Sequence, residues 1–387
     1  MKTPYLNKNI RENPPPVFIS DFKTVSPKFS SKQKETLEWL THAHTHSISS
    51  QEKREKIKKE IQRFATLCNH IGYRKHELED YSLCDRDSMR IFGVHSPPSG
   101  AGMRVRMNFY AEAMHRIFDE LYPVHSDPPG ALVHVTCTGY LSPNEPQKLI
   151  ERRMWPRDVC LLNVYHMGCY AAFPSLRIAW GLFSQLPNRP KIDIVHTELC
   201  SLHLDPTQHS PEQILLQCLF ADGFARYTLT QEKPENRRHC LKLKFIHDEI
   251  IPGTLALMEW IPGDFGMQMT LSKKVPSAIL EYLPTYLNNF TLKSQFQFNN
   301  KIAQAVFAIH PGGPKIIESI QKLLKLSDEQ VRISRKVLYE RGNMSSATLP
   351  HIWKEMAEDS SIPTKTPIIS LAFGPGLTIY GAILEKV

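Results

Sequence analysis

The spacing of apolar side chains changes character twice along the 387 residues. Residues 1–35 are rich in Pro, Ser and Lys and read as an arm that packs late, if at all. From Ser50 to about Leu67, Ile57, Ile61, Phe64 and Leu67 recur at helical spacing and predict an amphipathic helix. Met107 to Leu121 predicts a stronger helix, closed by the Pro/Gly break SDPPGA. Beyond it the texture turns to strand–helix alternation. ALVHVTCT (131–138), CLLNVYH (160–166) and KIDIVHTELC (191–200) read as strands, and CYAAFPSLRIAWGLFSQL (169–186) as a helix kinked or restarted at Pro174. The tail repeats this. CLKLKFIHDEI, GTLALMEWI and KIAQAVFAIH predict strands, PSAILEYLPTYLNNF and PKIIESIQKLL predict helices, and SLAFGPGLTIYGAILEKV closes the chain as two strands about a glycine turn. Such alternation predicts a layered α/β fold. DVCLLNVYHMGCYAAFPSLRIA and AQAVFAIHPGGPKIIESIQKLL share one order: apolar strand, glycine-containing turn with a reactive side chain, helix. That order suggests two similar halves, 1–235 and 236–387, with a site where the two turns face each other.

Composition narrows the class. A hydrophobic fraction of 41 % is globular and excludes a disordered chain, a collagen and a disulfide miniprotein. The net charge of +8 is spread along the chain, except for the run Gln51 to Arg63, and no nucleic-acid-binding module accompanies it. A mildly basic surface suits a small phosphorylated polyanion as well. The eight cysteines form no CxxC pair, and several sit in apolar runs, where free thiols belong more naturally than bridges. The first sixteen residues carry no apolar stretch like a signal peptide. Ile368 to Leu384 is broken by Pro375 and three glycines and does not read as a membrane span. The expectation is a soluble cytoplasmic protein without metal; the HAHTH run (His42 to His46) reads as a solvated segment rather than a zinc site.

Three residues could carry chemistry. Cys169 follows Gly168 after a strand and opens a helix, where unpaired N–H groups and the helix dipole favour a thiolate. His310 ends an apolar strand before PGGP, whose glycines admit close approach of a ligand. Asn343 lies between two helical segments. Each alone is more often a core residue or a helix cap. Together, a cysteine activated by a histidine with an amide donor nearby is a thiol-catalysis set. The chain order also fits a papain-like protease, with Cys169 and His310 141 residues apart, but a CGSCW-like context is missing.

VTCTGYLSPN (135–144), YHMGCYAAFPSLRIA (165–179), LFADGFA (219–225), FAIHPGGPKII (307–317), GNMSSATL (342–349) and AFGPGLTIYGAIL (372–384) resemble the ordered motifs of chalcone-synthase-like type III polyketide synthases. The match runs from about Arg104 to Val387, and HPGG with the GPG closure separates it from priming β-ketoacyl synthases. The resemblance implies a thiolase-like αβαβα five-layered sandwich of two similar halves, with 1–50 a poorly matched arm. It implies that Cys169 takes the acyl group from a coenzyme A thioester. His310 would support the thiolate, and with Asn343 would bond the thioester oxygen while malonyl decarboxylates. Phe220 stands where the family places a gatekeeping phenylalanine. Thr138, Ser142, Glu198, Cys200, His203, Met269, Ser345, Gly374, Pro375 and Gly376 would form the substrate pocket, and Arg74, Lys75 and Gly312 would hold coenzyme A. Acyl- and malonyl-coenzyme A would be substrates with no separate cofactor, an acyl carrier protein a further partner, and the assembly a homodimer with Ser142 facing the neighbour's cavity.

The chain also departs from plant members. Met269 replaces a second phenylalanine, Ser142 a methionine, and Cys200 and His203 replace threonines. These changes point away from flavonoid-type chemistry and toward long or bulky starters giving pyrone- or resorcinol-type products. Two alternatives stay open: an enzyme performing one condensation, such as a priming-type synthase or acyltransferase, and a non-turnover acyl-binding partner subunit.

Overall fold

The computed structural model describes residues 16–83, 85–186, 191–235, 239–296 and 301–387. Cys84 and the first fifteen residues of the expected arm lie outside them. In chain order come β1 (Val17–Val25), β2 (Phe29–Lys32), α1 (Gln33–Thr45), α2 (Gln51–Gln62), β3 (Tyr73–His76) and α3 (Met103–Leu121). Then follow β4 (Ala131–Thr136), α4 (Glu145–Arg152), β5 (Cys160–Tyr165), α5 (Ala172–Leu182), β6 (Ile192–Glu198), α6 (Pro211–Leu219) and β7 (Gly223–Thr230). The remainder is β8 (Leu241–Ile250), β9 (Met258–Gly263), β10 (Gly266–Leu271), α7 (Val275–Ser294), β11 (Val306–Ile309), α8 (Pro314–Leu324), α9 (Asp328–Arg341), α10 (Thr348–Glu358), β12 (Pro367–Gly374) and β13 (Thr378–Lys386).

Nine strands form one mixed sheet in the order β11-β12-β13-β8-β1-β7-β6-β4-β5. Its strands alternate between two apolar clusters. Leu132, Val195 and Leu371 enter one, while Val133, Ile194 and Ala372 enter the other. A sheet covered on both faces needs this double apolar pattern, which is why these segments read as near-continuous hydrophobic runs. Helices α5 and α10 cover one face through Phe173, Leu176, Ile352 and Trp353. Trp353 is fully buried, meets Phe173 and Tyr227 edge-on at 5.9 Å, and donates its indole N–H to Ser370 Oγ at 2.9 Å. Helices α3, α7 and α8 cover the other through Met114, Phe118, Tyr286, Phe290 and Ile317.

The expected late-packing arm is corrected from residue 17 onward. Strand β1 lies between β7 and β8, with Ile19 opposite Leu229 on one side and Leu241 on the other. Val17 to Ser20 are buried. The expected boundary near 235 falls between β7 and β8, and β1 joins those two strands into a continuous sheet. The HAHTH run is likewise not a solvated segment. It ends α1, and His44 is buried with its Nε2 2.5 Å from Gln217 Oε1. Among the described residues no histidine, cysteine or carboxylate group is arranged to hold a metal ion. No helix of the described residues is long and apolar enough to cross a membrane.

Candidate active site

Parallel strands end together, and here their ends collect the reactive side chains. Thr136 of β4 is in register with Tyr165 of β5, and Val135 with His196 of β6. The turns after all three strands therefore emerge at one sheet edge, where ligands bind in open α/β sheets. They carry Cys137–Thr138, Gly168–Cys169 and Cys200–His203. The parallel pair β11–β12 adds His310 and the Gly374–Pro375 turn.

Gly168 makes the cysteine turn possible. Its φ is +75°, and a Cβ there would stand 2.6 Å from Pro375 Cδ. Its N–H donates to Cys137 Sγ at 3.0 Å. Cys169 then occupies a single 3-10 turn, Gly168–Tyr170, and α5 begins at Ala172. Pro174 falls in the first turn of α5, where its missing N–H has no intrahelical partner to lose. From the end of β12, Gly374 approaches so closely that a Cβ would meet the Tyr170 ring at 2.6 Å.

These turns close around a cavity of about 280 Å³. Cys169 lines it, with Sγ 3.9 Å from Ser345 Oγ. Ser345 has a φ of +49° and donates its N–H to Asn343 Oδ1 at 2.9 Å. Burial pushes the Cys169 thiol up to about 12 and outweighs the helix-dipole effect expected from the sequence. His310 is buried, neither ring nitrogen has a partner, and desolvation pushes it down to about 3. Without ligand, each group is thus neutral, a thiol at Cys169 and an imidazole at His310.

A second buried acid stands behind the wall. Glu198 accepts from Thr138 Oγ1 at 2.9 Å, from the Cys137 N–H at 3.1 Å and from Ser346 Oγ. Burial raises it to about 7 despite these donors. His203 donates from Nε2 to the Thr138 carbonyl (2.8 Å) and accepts the Met267 N–H at Nδ1 (3.0 Å), a neutral tautomer matching its fall to about 3 by desolvation. It pins the β9–β10 hairpin to the site, and Trp260 does the same from Nε1 to the Cys137 carbonyl at 2.8 Å.

Of the residues singled out by sequence, Thr138, Cys169, Cys200, His203, Phe220, Met269, Ser345 and Pro375 line the cavity. His310, Asn343 and Glu198 are buried outside its lining, and Gly374 packs on Tyr170. Gly376, at φ +105°, shapes the β12–β13 turn. Ser142 and Gly312 are exposed and away from the cavity. Arg74, expected to hold coenzyme A, is a buried side chain on the cavity wall, donating to the Phe220 carbonyl at 2.5 Å. Lys75 is half-buried and donates to Ser26 Oγ at 2.9 Å. Sequence reading missed Tyr81, Trp260 and the glutamines 208, 213 and 217 on the wall. Trp260, in an apolar stretch beside Pro262, carried a signal; the glutamines carried none.

Residues 242–387 match the family model described as "Chalcone and stilbene synthases, C-terminal domain". The chain is 31 % identical over 258 residues to "Probable polyketide synthase 1" of Dictyostelium discoideum, covering 66 % of this chain and 8 % of that protein. It is 26 % identical over 237 residues to type III polyketide synthase A of Arabidopsis thaliana, covering 59 % of each. The fold is similar, at a TM-score of 0.80 and 23 % identity, to the C-terminal type III polyketide synthase domain of Steely1, a type I/III hybrid from Dictyostelium. That superposition spans 96 % of this chain and 99 % of that domain.

Proposed function

We propose that the chain, whose residues 242–387 match the chalcone and stilbene synthase C-terminal model and whose fold is similar to a type III polyketide synthase domain, catalyses decarboxylative condensation of an acyl thioester with malonyl-coenzyme A through a Cys169-bound acyl group. The observation that carries this is the meeting of the Cys169 turn with the Asn343–Ser345 turn at one cavity. The Cys169 thiol passes its proton to the unpartnered His310 imidazole as the sulfur attacks the thioester carbonyl; coenzyme A leaves as the thiol and the acyl group stays on Sγ. Malonyl thioester then loses carbon dioxide beside the apolar Phe220 ring. With its proton passed on to the departing coenzyme A thiol, neutral His310 and Asn343 donate N–H hydrogen bonds to the enolate oxygen; the enolate carbon attacks the acyl carbonyl, and Cys169 leaves as a thiolate that is reprotonated from solvent. The wall residues Met269, Cys200, His203 and Trp260 limit starter length and ring closure.

We further place two such chains in a homodimer. Strand β5 ends the sheet with Leu161 and Leu162 half-buried, and Ser142 is exposed near that edge. Sedimentation as a clean monomer at working concentration would remove the dimer. For the chemistry, Cys169→Ala is expected to abolish both condensation and the acyl adduct seen by mass spectrometry, while malonyl decarboxylation persists. Undiminished pyrone or resorcinol formation by Cys169→Ala would overturn the assignment.

A further inference from the structure

Arg74 is 2 % exposed, yet only one of its guanidinium nitrogens has a partner. Nη2 donates to the Phe220 carbonyl at 2.5 Å; Nε and Nη1 are buried without acceptors. Taking a guanidinium out of water for a single hydrogen bond is a poor stabilising device, and an apolar side chain of that shape would pack there at less cost. Its placement suggests another use. Phe220 forms a parallel bridge to Asn343, with the Asn343 N–H donating to the Leu219 carbonyl at 2.9 Å and the Ala221 N–H to the Asn343 carbonyl at 2.8 Å. At Gly342, with φ +76°, an added Cβ would lie 3.1 Å from Leu219 O and 3.3 Å from Arg74 Cγ, tighter than ordinary contact. The arginine thus grips both limbs of the Phe220–Asn343 crossing, its head on one and its stem against the other.

Its surroundings fix it from behind. The Asp222 N–H donates to the Lys75 carbonyl at 2.9 Å. The Asp222 carboxyl accepts from the Glu77 N–H at 2.7 Å and from Ser201 N–H and Oγ at 2.8 and 2.7 Å. The ionisable groups acting on the guanidinium are Tyr81, Cys218, Asp222 and Cys200.

We propose that Arg74 is a positioning residue for the decarboxylating half of the site. Resting on the function proposed above, it holds the Phe220 ring and the Asn343 amide in fixed relation, so that malonyl thioester is desolvated and its enolate oxygen bonded at the same time. Acylation centres on the Gly168–Cys169 turn, to which Arg74 makes no hydrogen bond, and depends less on this contact.

The test separates the half-reactions. R74Q and R74K are compared with the parent for Cys169 acylation, by intact-mass spectrometry after an acyl-coenzyme A soak, and for release of carbon dioxide from malonyl-coenzyme A. Circular dichroism melts confirm folding. R74Q is expected to lose at least tenfold in decarboxylation and no more than about twofold in acylation. R74K, keeping charge and stem but not the planar fork, is expected to lose three- to tenfold. Parental decarboxylation in a folded R74Q, or equal loss of both half-reactions, overturns the positioning role. Where R74Q does not fold, R74K decides alone: a parental decarboxylation rate overturns the role and a selective loss supports it. A parent that neither acylates nor decarboxylates removes the functional reading itself, a result distinguishable from failure of the Arg74 role.

Discussion

At Cys169 two effects oppose each other, and their sizes decide which wins. A helix N-terminus favours a thiolate by at most about 2 kcal/mol. Moving a thiol from its ordinary value near 9 to about 12 corresponds to ~4 kcal/mol against the charged form, and burial is the dominant cause. With His310 held neutral, the ligand-free site stores no thiolate–imidazolium pair. Alkylation of Cys169 by iodoacetamide should therefore climb about tenfold per pH unit from pH 7 to 9.5 without levelling. A plateau below pH 8, followed by mass spectrometry of the Cys169 peptide, would show a preformed ion pair instead. The sequence makes the turn legible, because a strand, a glycine and a cysteine in that order leave little freedom. It hides the polarity of the surroundings, which depends on which side chains from distant segments close over the sulfur. Arg74 teaches the same in reverse: YRKHELED reads as a charged face, yet β3 pairing with β2 turns Arg74 and His76 inward.

Elements meet at the site through glycines, and two of them give opposite expectations. Gly168→Ala would combine a left-handed φ of +75° with a Cβ 2.6 Å from Pro375 Cδ, so the Cys169 turn must back away from the β12–β13 turn. Strain and overpacking of this kind cost about 1–3 kcal/mol each. Gly168→Ala should slow Cys169 acylation at least tenfold and lower the melting temperature. Gly181→Ala, inside α5 with nothing within 4 Å of its added Cβ, should leave acylation unchanged and stabilise by up to about 1 kcal/mol. Equal acylation rates in the two variants, measured by intact mass, would refute the close-packed turn. Elements with local signatures are legible: α8 spans the PKIIESIQKLL segment, and β4 to β6 fall within their predicted runs. Strand β1 was hidden because VFISDFKTV sits among Pro, Ser and Lys, and its partners β7 and β8 lie some two hundred residues onward. Helix α1 was hidden because its last turn is polar, although His44 finds Gln217 on α6.

Across the whole molecule, buried titratable groups set how stability varies with pH. Desolvation pushes His134, His196, His203, His310 and His351 down to about 3 and His44 to about 4. In the unfolded chain such groups titrate near 6.5. Folded values below unfolded ones mean that acid favours the unfolded state, and the loss begins as pH falls through about 6.5 and continues toward 3. Each histidine contributes roughly 1 kcal/mol of destabilisation between pH 7 and 5.5. Glu198 and Asp222 act in the opposite direction. Both are raised to about 7 by burial, so the folded state takes up protons that the unfolded state does not, and each returns about 1.5 kcal/mol over the same interval. With His76, which burial also pushes well below its ordinary value, seven losses against two gains leave a net destabilisation on the order of 4 kcal/mol. The melting temperature should fall by several degrees from pH 7 to 5.5 and faster below. Glu198→Gln removes one compensating proton uptake, so its melting temperature should fall more steeply over that interval than the parent's. A parental melting temperature that holds level or rises on acidification would mean that the buried histidines are not neutral in the folded protein, and an unchanged slope in Glu198→Gln would mean that Glu198 takes up no proton over that interval.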